Sequence, residues 1–260
     1  MMARNIVVTS GKGGVGKSSV SVNLATSLAL NNFDVCIIDA DFGLKNLDVM
    51  MGLENRVVYD LKDVIDGRCS LDQVLIKDKR CPSLYLIPAC KTLDFTTIDT
   101  KYMEALINHF QHRFDFIIID SPAGIEKGFE YACSFANEAV VVVNLDLSSI
   151  RDSDRVVGLL MKKGIIDIKM IVNRVNLKNM ESQKSLSIDD AVDILSIPLL
   201  GIVYEQDDMI EANNKGVPIS LKKGSLLQIC FSNISKRING ENIPYTKIKR
   251  RSLLHKIFSN

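Results

Sequence analysis

The sequence predicts an α/β fold in which helices cover both faces of a doubly wound, mostly parallel sheet. Strand-like and helix-like segments alternate along the chain. Several of the strand-like runs are continuously apolar, as in parallel strands that are buried on both faces. A glycine-rich loop joins the first strand to the first helix. In a sheet of this kind, ligands bind at the carboxyl ends of the strands.

Hydrophobic periodicity and turn-forming residues predict the individual elements. The predicted strands are short apolar runs at residues 5–9, 35–39, 84–88, 114–120, 139–143, 169–172 and 199–203. The predicted helices are longer runs with apolar residues at helical spacing, at residues 20–30, 102–110, 128–136, 152–163, 188–195 and 226–238. A break at residues 239–246, with Gly240 and Pro244, predicts one domain over 1–240 and a separate C-terminal piece over 241–260.

Composition narrows the class of protein. A chain of 260 residues, 47% of them hydrophobic, suffices for one α/β domain, and a net charge of +1 does not favour nucleic-acid binding. The six cysteines include no C-x-x-C pair, which argues against a metal or redox motif and favours a reducing compartment. Cys36, in an apolar run, is predicted to be a core residue. Because no apolar run is long enough to span a bilayer and a functional loop begins at residue 11, we expect neither a membrane span nor a targeting peptide, and a protein that works in the compartment where it is made.

The glycine-rich loop matches the phosphate-binding pattern G-x-x-x-x-G-K-[ST] between a strand and a helix. Its glycines let backbone N–H groups approach phosphate, Lys17 can reach the β- and γ-phosphates, and Ser18 can ligate Mg²⁺. Lys12 adds a second cation that an ordinary phosphate loop lacks. The alternative interpretation of residues 11–18 is a glycine-rich turn without function. The predicted ATP-binding residues are Gly11, Lys12, Gly13, Gly14, Val15, Gly16, Lys17, Ser18 and Asn173.

Acidic residues close two of the predicted strands. Asp39 and Asp41 follow the second strand, where one could hold Mg²⁺ through water and the other could position an attacking water. Asp120 ends a strand of four apolar residues, as in a Walker B motif. The alternatives are a turn cap for the first pair and an ordinary strand-to-turn boundary for Asp120.

Three weaker signals each have a plain structural alternative. Asn173 and Arg174 end a late strand and could contact the adenine base, but a polar strand end explains them equally well. Residues 151–155, predicted to open a helix capped by Ser148 or Ser149, could dock a partner or simply be a solvated helix start. His109 and His112 lack a third ligand nearby and indicate an exposed helix rather than a metal site.

The C-terminal residues form a basic amphipathic pattern. On a helical wheel the apolar side chains of residues 253–258 share one arc, and the basic ones lie mostly opposite. Such a segment can lie on an anionic membrane, weakly as one copy and by avidity as two. The alternative is a helix packed on its own domain or on a partner. The predicted membrane-contacting residues are Arg250, Arg251, Leu253, Leu254, Lys256, Ile257 and Phe258.

These motifs together resemble the ParA/MinD family of P-loop ATPases, which carry the deviant Walker A loop with a second lysine. The similarity runs along nearly the whole chain and is closest to the family's septum-site-determining branch. The segments that carry it are residues 11–18, 39–48, 56–60, 75–80, 120–126 and 149–155 and the basic tail. The chain departs from the family at Tyr204–Asp207, where Pro-Glu-Asp is usual, and in having Ser18 for the commoner threonine.

The resemblance implies a cycle. ATP with Mg²⁺ drives a homodimer in which Lys12 contacts phosphates held by the other subunit, and the paired tails bind an anionic membrane surface. It assigns Lys12, Lys17 and Asp41 to catalysis, with Asp41 positioning the water, and Ser18, Asp39 and Asp120 to the metal. It places a MinC-like inhibitor and a MinE-like activator on the surface that includes Asp152 and Asp154, and it implies no specific nucleic acid. The rival interpretations are a DNA-partition ATPase, which needs a basic patch on the domain, and a metal or cofactor carrier ATPase, which needs a C-x-x-C pair.

Overall fold

An eight-stranded sheet with the strand order β3-β4-β2-β5-β1-β6-β7-β8 organises the protein. A computed structural model describes residues 2–41, 47–90 and 100–245. Neighbouring strands run parallel except at the edge, where β3 pairs antiparallel with β4. The predicted fold class is confirmed. The strands are β1 (Arg4–Thr9), β2 (Val35–Asp39), β3 (Ile76–Lys77), β4 (Leu84–Ile87), β5 (Phe116–Asp120), β6 (Glu138–Val143), β7 (Asp167–Val175) and β8 (Leu199–Tyr204).

Helices cover both faces of this sheet. All six predicted helices are present, together with shorter ones that sequence periodicity does not reveal because they span about two turns or fewer. The helices are α1 (Lys17–Leu30), α2 (Leu47–Met50), α3 (Leu61–Ile65), α4 (Thr100–Phe110), α5 (Lys127–Cys133), α6 (Leu147–Lys162), α7 (Leu177–Glu181), α8 (Ile188–Leu195), α9 (Asp207–Asn214) and α10 (Leu226–Ile238).

The start of α6 differs from the prediction. Asp146 caps the helix, since its side chain accepts a hydrogen bond from the Ser149 backbone N–H at 2.9 Å. The cap predicted at Ser148 or Ser149 was therefore wrong, and α6 begins five residues before the predicted 152. The Ser149 hydroxyl instead accepts a hydrogen bond from the backbone N–H of Asn144 at 3.0 Å.

The alternation of side chains along each strand builds two apolar layers, one on each face of the sheet. In β1, Val7 belongs to one buried cluster, whereas Ile6 and Val8 belong to the other. Cys36 lies fully buried in the first cluster, as predicted for a core residue, and burial raises the pKa of its thiol. Helix α1 contributes to the second layer through Leu24 and other apolar residues.

Strand register gathers the predicted acidic residues at one edge. Asp120 of β5 lies opposite Asp39 of β2 on one side and opposite Val8 of β1 on the other. The loop that follows β1 therefore begins beside Asp120, with Asp39 one strand further along the sheet. No helix in the described part of the chain is long and apolar enough to cross a membrane.

The chain beyond α10 folds back against the domain. Arg237 donates from Nε to the carbonyl oxygen of Ile243 at 2.8 Å and from Nη2 to that of Pro244 at 2.7 Å. The Tyr245 hydroxyl donates to the carbonyl oxygen of Leu199 at 2.7 Å. The basic amphipathic tail and its predicted membrane-contacting residues lie outside the described residues.

Candidate active site

The loop between β1 and α1 presents an uncapped helix N-terminus. Gly16, the N-cap residue, has a φ of 91°, and no side chain caps the helix. The first turn of α1 also lacks an acidic residue. Its N–H groups and the positive end of the helix dipole are therefore available to an anion. A Cβ at Gly16 would lie 2.4 Å from Nδ2 of Asn173, so glycine is needed here for space as well as for its positive φ.

A buried polar cluster forms where α1 meets the end of β5. Lys17 Nζ lies 2.9 Å from Asp120 Oδ1, and the two side chains are 7% and 1% exposed. The Ser18 hydroxyl donates to Asp120 Oδ2 at 2.7 Å. Three sequence-predicted residues are thus brought into direct contact, with the lysine and the carboxylate neutralising each other.

Ser21 completes this cluster and was missed by the sequence interpretation. Its hydroxyl lies 2.6 Å from Asp120 Oδ1 and 3.1 Å from the carbonyl oxygen of Lys17. The spacing contained a signal, because residues four apart on a helix lie on the same face, which places Ser21 beside Lys17. Asp120 is therefore held by an ammonium and two hydroxyl groups.

The acidic pair after β2 has two different environments. Asp39 is buried, and its carboxylate accepts hydrogen bonds from the backbone N–H groups of Asp41 at 3.1 Å and Leu47 at 3.3 Å. Burial raises the pKa of Asp41, the charge of Lys17 opposes that rise, and the charge of Asp120 adds to it. The Asp39 side chain is thus fixed by hydrogen bonds to the backbone, whereas Asp41 has the carboxyl group with the raised pKa.

Lys12 occupies the outer side of the loop. Its ammonium lies 3.6 Å from Asp146 Oδ1, and both side chains are about half exposed. An exposed pair of this kind contributes little to stability and is easily exchanged for another partner. Lys12 therefore does not join the buried cluster around Lys17.

Gly11 connects the loop to α6. A Cβ at Gly11 would lie 2.3 Å from the backbone carbonyl carbon of Asp152 and 2.6 Å from the backbone nitrogen of Ser153. Only glycine permits this approach without displacing α6. The side chains of Asp152 and Asp154, the predicted partner-contacting residues, are exposed on the same helix.

A cavity of about 250 Å³ extends from Gly16 towards α9. Asn173 lines it and donates from Nδ2 to the carbonyl oxygen of Val15 at 2.7 Å, so the side chain also braces the phosphate loop. Asn213 of α9 donates to the Ser19 hydroxyl at 2.8 Å and was not identified from the sequence. The remaining lining residues include Arg174, Tyr204, Glu205, Gln206, Asp207, Met209 and Ile210.

The donor set around Ser18 suits Mg²⁺. Hydroxyl and carboxylate oxygens are the ligands that this ion prefers, and it keeps several waters while sharing phosphate oxygens. Within the described residues, no group of three or more His, Cys, Asp or Glu side chains could hold a metal ion by itself. A site completed by nucleotide phosphates agrees with both observations. His109 lies on α4, and its Nε2 is 3.2 Å from Oδ2 of Asp72.

Comparisons with known proteins agree with this geometry. The sequence model of the CobQ/CobB/MinD/ParA nucleotide binding domain matches residues 6–219. The septum site-determining protein MinD of Bacillus subtilis is 44% identical over 96% of this chain and 94% of its own. A MinC:MinD cell division protein complex from Aquifex aeolicus contains a chain with a TM-score of 0.88 and 42% identity, over 95% of this chain and 100% of that one.

A third relative was solved with a nucleotide. The septum site-determining protein MinD from Pyrococcus horikoshii, complexed with Mg-ADP, has a TM-score of 0.81 and 28% identity over 92% of this chain and 96% of its own. Similarity of this extent covers the loop, the acidic strand ends and α6 together. The chain therefore belongs to the CobQ/CobB/MinD/ParA nucleotide-binding family and, within it, to the MinD septum site-determining proteins.

Proposed function

We propose that this protein is a Mg²⁺-dependent ATP hydrolase that places the division septum by cycling onto a membrane and recruiting a division inhibitor. One observation carries the ATP-hydrolase part of this proposal. Lys17, Ser18 and Asp120 form a mutually bonded cluster beneath an uncapped helix N-terminus, and Lys17 and Asp120 are buried in it. The ammonium of Lys17 and the positive end of the helix dipole suit a phosphate group, and the hydroxyl of Ser18 suits Mg²⁺.

The phosphate loop and the acidic strand ends supply residues with separate tasks. The loop N–H groups and Lys17 bind and orient the phosphates, while Ser18, Asp39 and Asp120 would hold the metal directly or through water. Bound Mg²⁺ would neutralise phosphate charge and so assist attack by water. Asp41, whose pKa is raised by burial, would accept a hydrogen bond from the attacking water and orient it.

Lys12 supports an ATP-dependent homodimer. It is half exposed and holds only a loose ion pair with Asp146, so it can turn towards phosphates bound by a second subunit. A cation that reaches phosphate only across an interface makes hydrolysis depend on assembly, because its charge is absent from the monomer's own site. The catalytic set of one site then comprises Lys17 and Asp41 with Lys12 of the other subunit.

Residues 241–260, a linker followed by the basic tail, are proposed as a unit separate from the domain at 1–240, with the tail as a membrane anchor. Each basic side chain near an anionic surface contributes about 1 kcal/mol. One tail is therefore a weak anchor, and two in a dimer bind through avidity. The protein would lie in the cytoplasm or in the plastid stroma, and would be peripheral on the membrane when ATP is bound.

Helix α6 is the proposed docking surface for regulators. The Aquifex relative was solved as a complex with MinC, which supports a MinC-like inhibitor as a partner here. Asp152 and Asp154 are exposed on α6, and the backbone of Asp152 packs against Gly11 of the phosphate loop. A regulator bound there, whether the inhibitor or a MinE-like activator, contacts the helix that supports the loop.

Co-sedimentation with anionic liposomes tests the proposal. We expect pelleting with ATP but little with ADP, and loss of pelleting without loss of nucleotide binding when residues 252–260 are deleted. Neutral liposomes and a Lys17→Ala variant incubated with ATP, which loses a phosphate-binding cation and should not pellet, serve as controls. Failure to pellet in either nucleotide would overturn the membrane proposal, and retention on non-specific DNA under ATP would favour the partition class instead.

A further inference from the structure

We propose that Arg80 is a positioning residue that couples α2, whose first residue contacts the predicted metal carboxylate Asp39, to α9, which lines the cavity beside Asn173. The inference rests on the proposed ATPase function and deepens it. Arg80 lies in the loop between β3 and β4, at the sheet edge, and touches no predicted nucleotide contact directly. Its own contacts are the basis of the proposal.

The guanidinium of Arg80 joins two separate backbone segments. Nη1 donates to the carbonyl oxygen of Gly216 at 2.8 Å, and Nη2 donates to that of Met51. Asp78, which is 1% exposed, orients the fork through bonds to Nε at 3.1 Å and Nη2 at 2.8 Å. It also accepts a bond from the Arg80 backbone N–H at 2.7 Å. A planar guanidinium can make all these bonds at once, which a lysine ammonium cannot.

One of these segments leads to the metal side of the site. Met51 follows α2, and its backbone N–H bonds to the carbonyl oxygen of Leu47 at 2.9 Å. The backbone N–H of Leu47 in turn donates to the carboxylate of Asp39. Arg80 therefore holds the far end of the short helix whose near end contacts the predicted metal carboxylate.

The other segment leads to the base side. Gly216 follows α9, and its backbone N–H bonds to the carbonyl oxygen of Asn213 at 3.2 Å. Asn213 lines the cavity and bonds to Ser19, one residue after Ser18. Arg80 thus closes a ring of contacts that runs from the metal side, around the outside of the site, to the cavity.

The two segments also touch each other. A Cβ at Gly52 would lie 2.6 Å from the carbonyl oxygen of Gly216, and a Cβ at Gly216 would lie 2.7 Å from Cα of Gly52. The two backbones are therefore in direct contact beside the guanidinium. Arg80 and this glycine contact form one junction.

Loss of the junction should affect ATP and ADP differently. The phosphate loop, α1 and the Asn213–Ser19 bond remain in place, so ADP keeps its main contacts. Asp39 loses the support that α2 gives it through the backbone N–H of Leu47, so the response to the γ-phosphate weakens. A purely structural residue would instead lower stability and the affinity for both nucleotides together.

The first test replaces Arg80 by lysine in the full chain. We expect the dissociation constant for fluorescent ADP to stay within about twofold, whereas kcat for ATP falls about tenfold with little change in KM, the order of one lost charge-assisted hydrogen bond. Arg68→Lys is the matched control, since Arg68 is an exposed arginine that pairs with Asp63 and Asp66. Equal loss of ADP affinity and turnover, or unchanged turnover, would overturn the proposal.

The second test reaches the same junction without changing a charge. Gly52→Ala should reproduce the loss of kcat with ADP affinity retained, whereas Gly67→Ala should not. Gly67 has a similar positive φ, 71° against 58°, but no atom within 4 Å of the added Cβ. Equal effects of the two alanines would assign the loss to backbone strain and reject the junction. Wild-type protein that neither binds nor hydrolyses ATP would instead reject the proposed function, and active wild type with an unaffected Arg80→Lys variant would reject only this inference.

Discussion

Ser21→Ala tests whether the buried carboxylate of Asp120 is held by the network around it. Asp120 is 1% exposed and is approached by Lys17 Nζ at 2.9 Å, the Ser18 hydroxyl at 2.7 Å and the Ser21 hydroxyl at 2.6 Å. A hydrogen bond to a charged group contributes roughly 1.5–3 kcal/mol. Removal of the Ser21 hydroxyl should lower the free energy of unfolding by about that amount.

The matched control is another buried serine on the same helix. The Ser27 hydroxyl bonds to the uncharged Ser220 hydroxyl at 3.2 Å. The Ser27→Ala variant loses a neutral hydrogen bond, so its cost should be about 0.5–1.5 kcal/mol. Both variants remove one oxygen from a buried site on α1, and the difference between them isolates the charge on Asp120.

Urea unfolding without nucleotide measures both costs. The Ser21→Ala variant should also need more Mg²⁺ for half-maximal ATP turnover, because Asp120 is one of the predicted metal carboxylates and loses one of its supports. The Ser27→Ala variant should keep the wild-type Mg²⁺ dependence. The reasoning fails if Ser21→Ala costs no more than Ser27→Ala, or if its Mg²⁺ dependence does not change.

The remaining predictions concern three further residues of the site. Lys12→Ala should bind ATP as a monomer yet form no ATP dimer in light scattering, and a persistent dimer would exclude the role across the interface. Because burial raises the pKa of Asp41 above its usual 3.8, protonation should remove its carboxylate and lower kcat on acidification while the pH is still above that value. An acid limb of the pH–rate profile at or below 3.8 would contradict this. Gly11→Ala should displace Asp152 and impair both ATP turnover and inhibitor binding, measured on one preparation. Gly13→Ala, whose added Cβ would meet nothing closer than 3.9 Å, is the control that should retain inhibitor binding.

The sheet was predictable because its strands are continuously apolar and end in turn-forming or acidic residues. A parallel strand inside such a sheet is buried on both of its faces, so its sequence is a continuous apolar run rather than an alternation of apolar and polar residues. Asp39 and Asp120 could be placed together from topology alone, since both end parallel strands. The short elements β3 and α2 could not be predicted, because two to four residues carry no detectable period.

The parts of the site that sequence reasoning missed depend on tertiary contacts. Ser21 shares a helix face with Lys17, but only the packing of α1 on β5 brings it to Asp120. Asn213 and Ser19 are 194 positions apart, and no local pattern relates them. Asp146 was overlooked as a cap because the nearby serines offered an equally good local signal. Local sequence patterns therefore predicted which residues have the chemistry to bind phosphate or Mg²⁺. Which of these residues contact one another depends on the tertiary fold.

The pairing of Lys17 with Asp120 has a consequence for how nucleotide enters. Removing one partner from a buried ion pair costs about 3–5 kcal/mol, because the other charge is left uncompensated. A bare phosphate could satisfy Lys17 but would leave Asp120 without its ammonium, and a bare cation would leave Lys17 without its carboxylate. A nucleotide bound to Mg²⁺ brings a phosphate for Lys17 and a metal ion for Asp120 at the same time. The buried pair therefore favours joint binding of nucleotide and Mg²⁺ over binding of either alone, and Lys12, half exposed beside Asp146, lies outside this exchange.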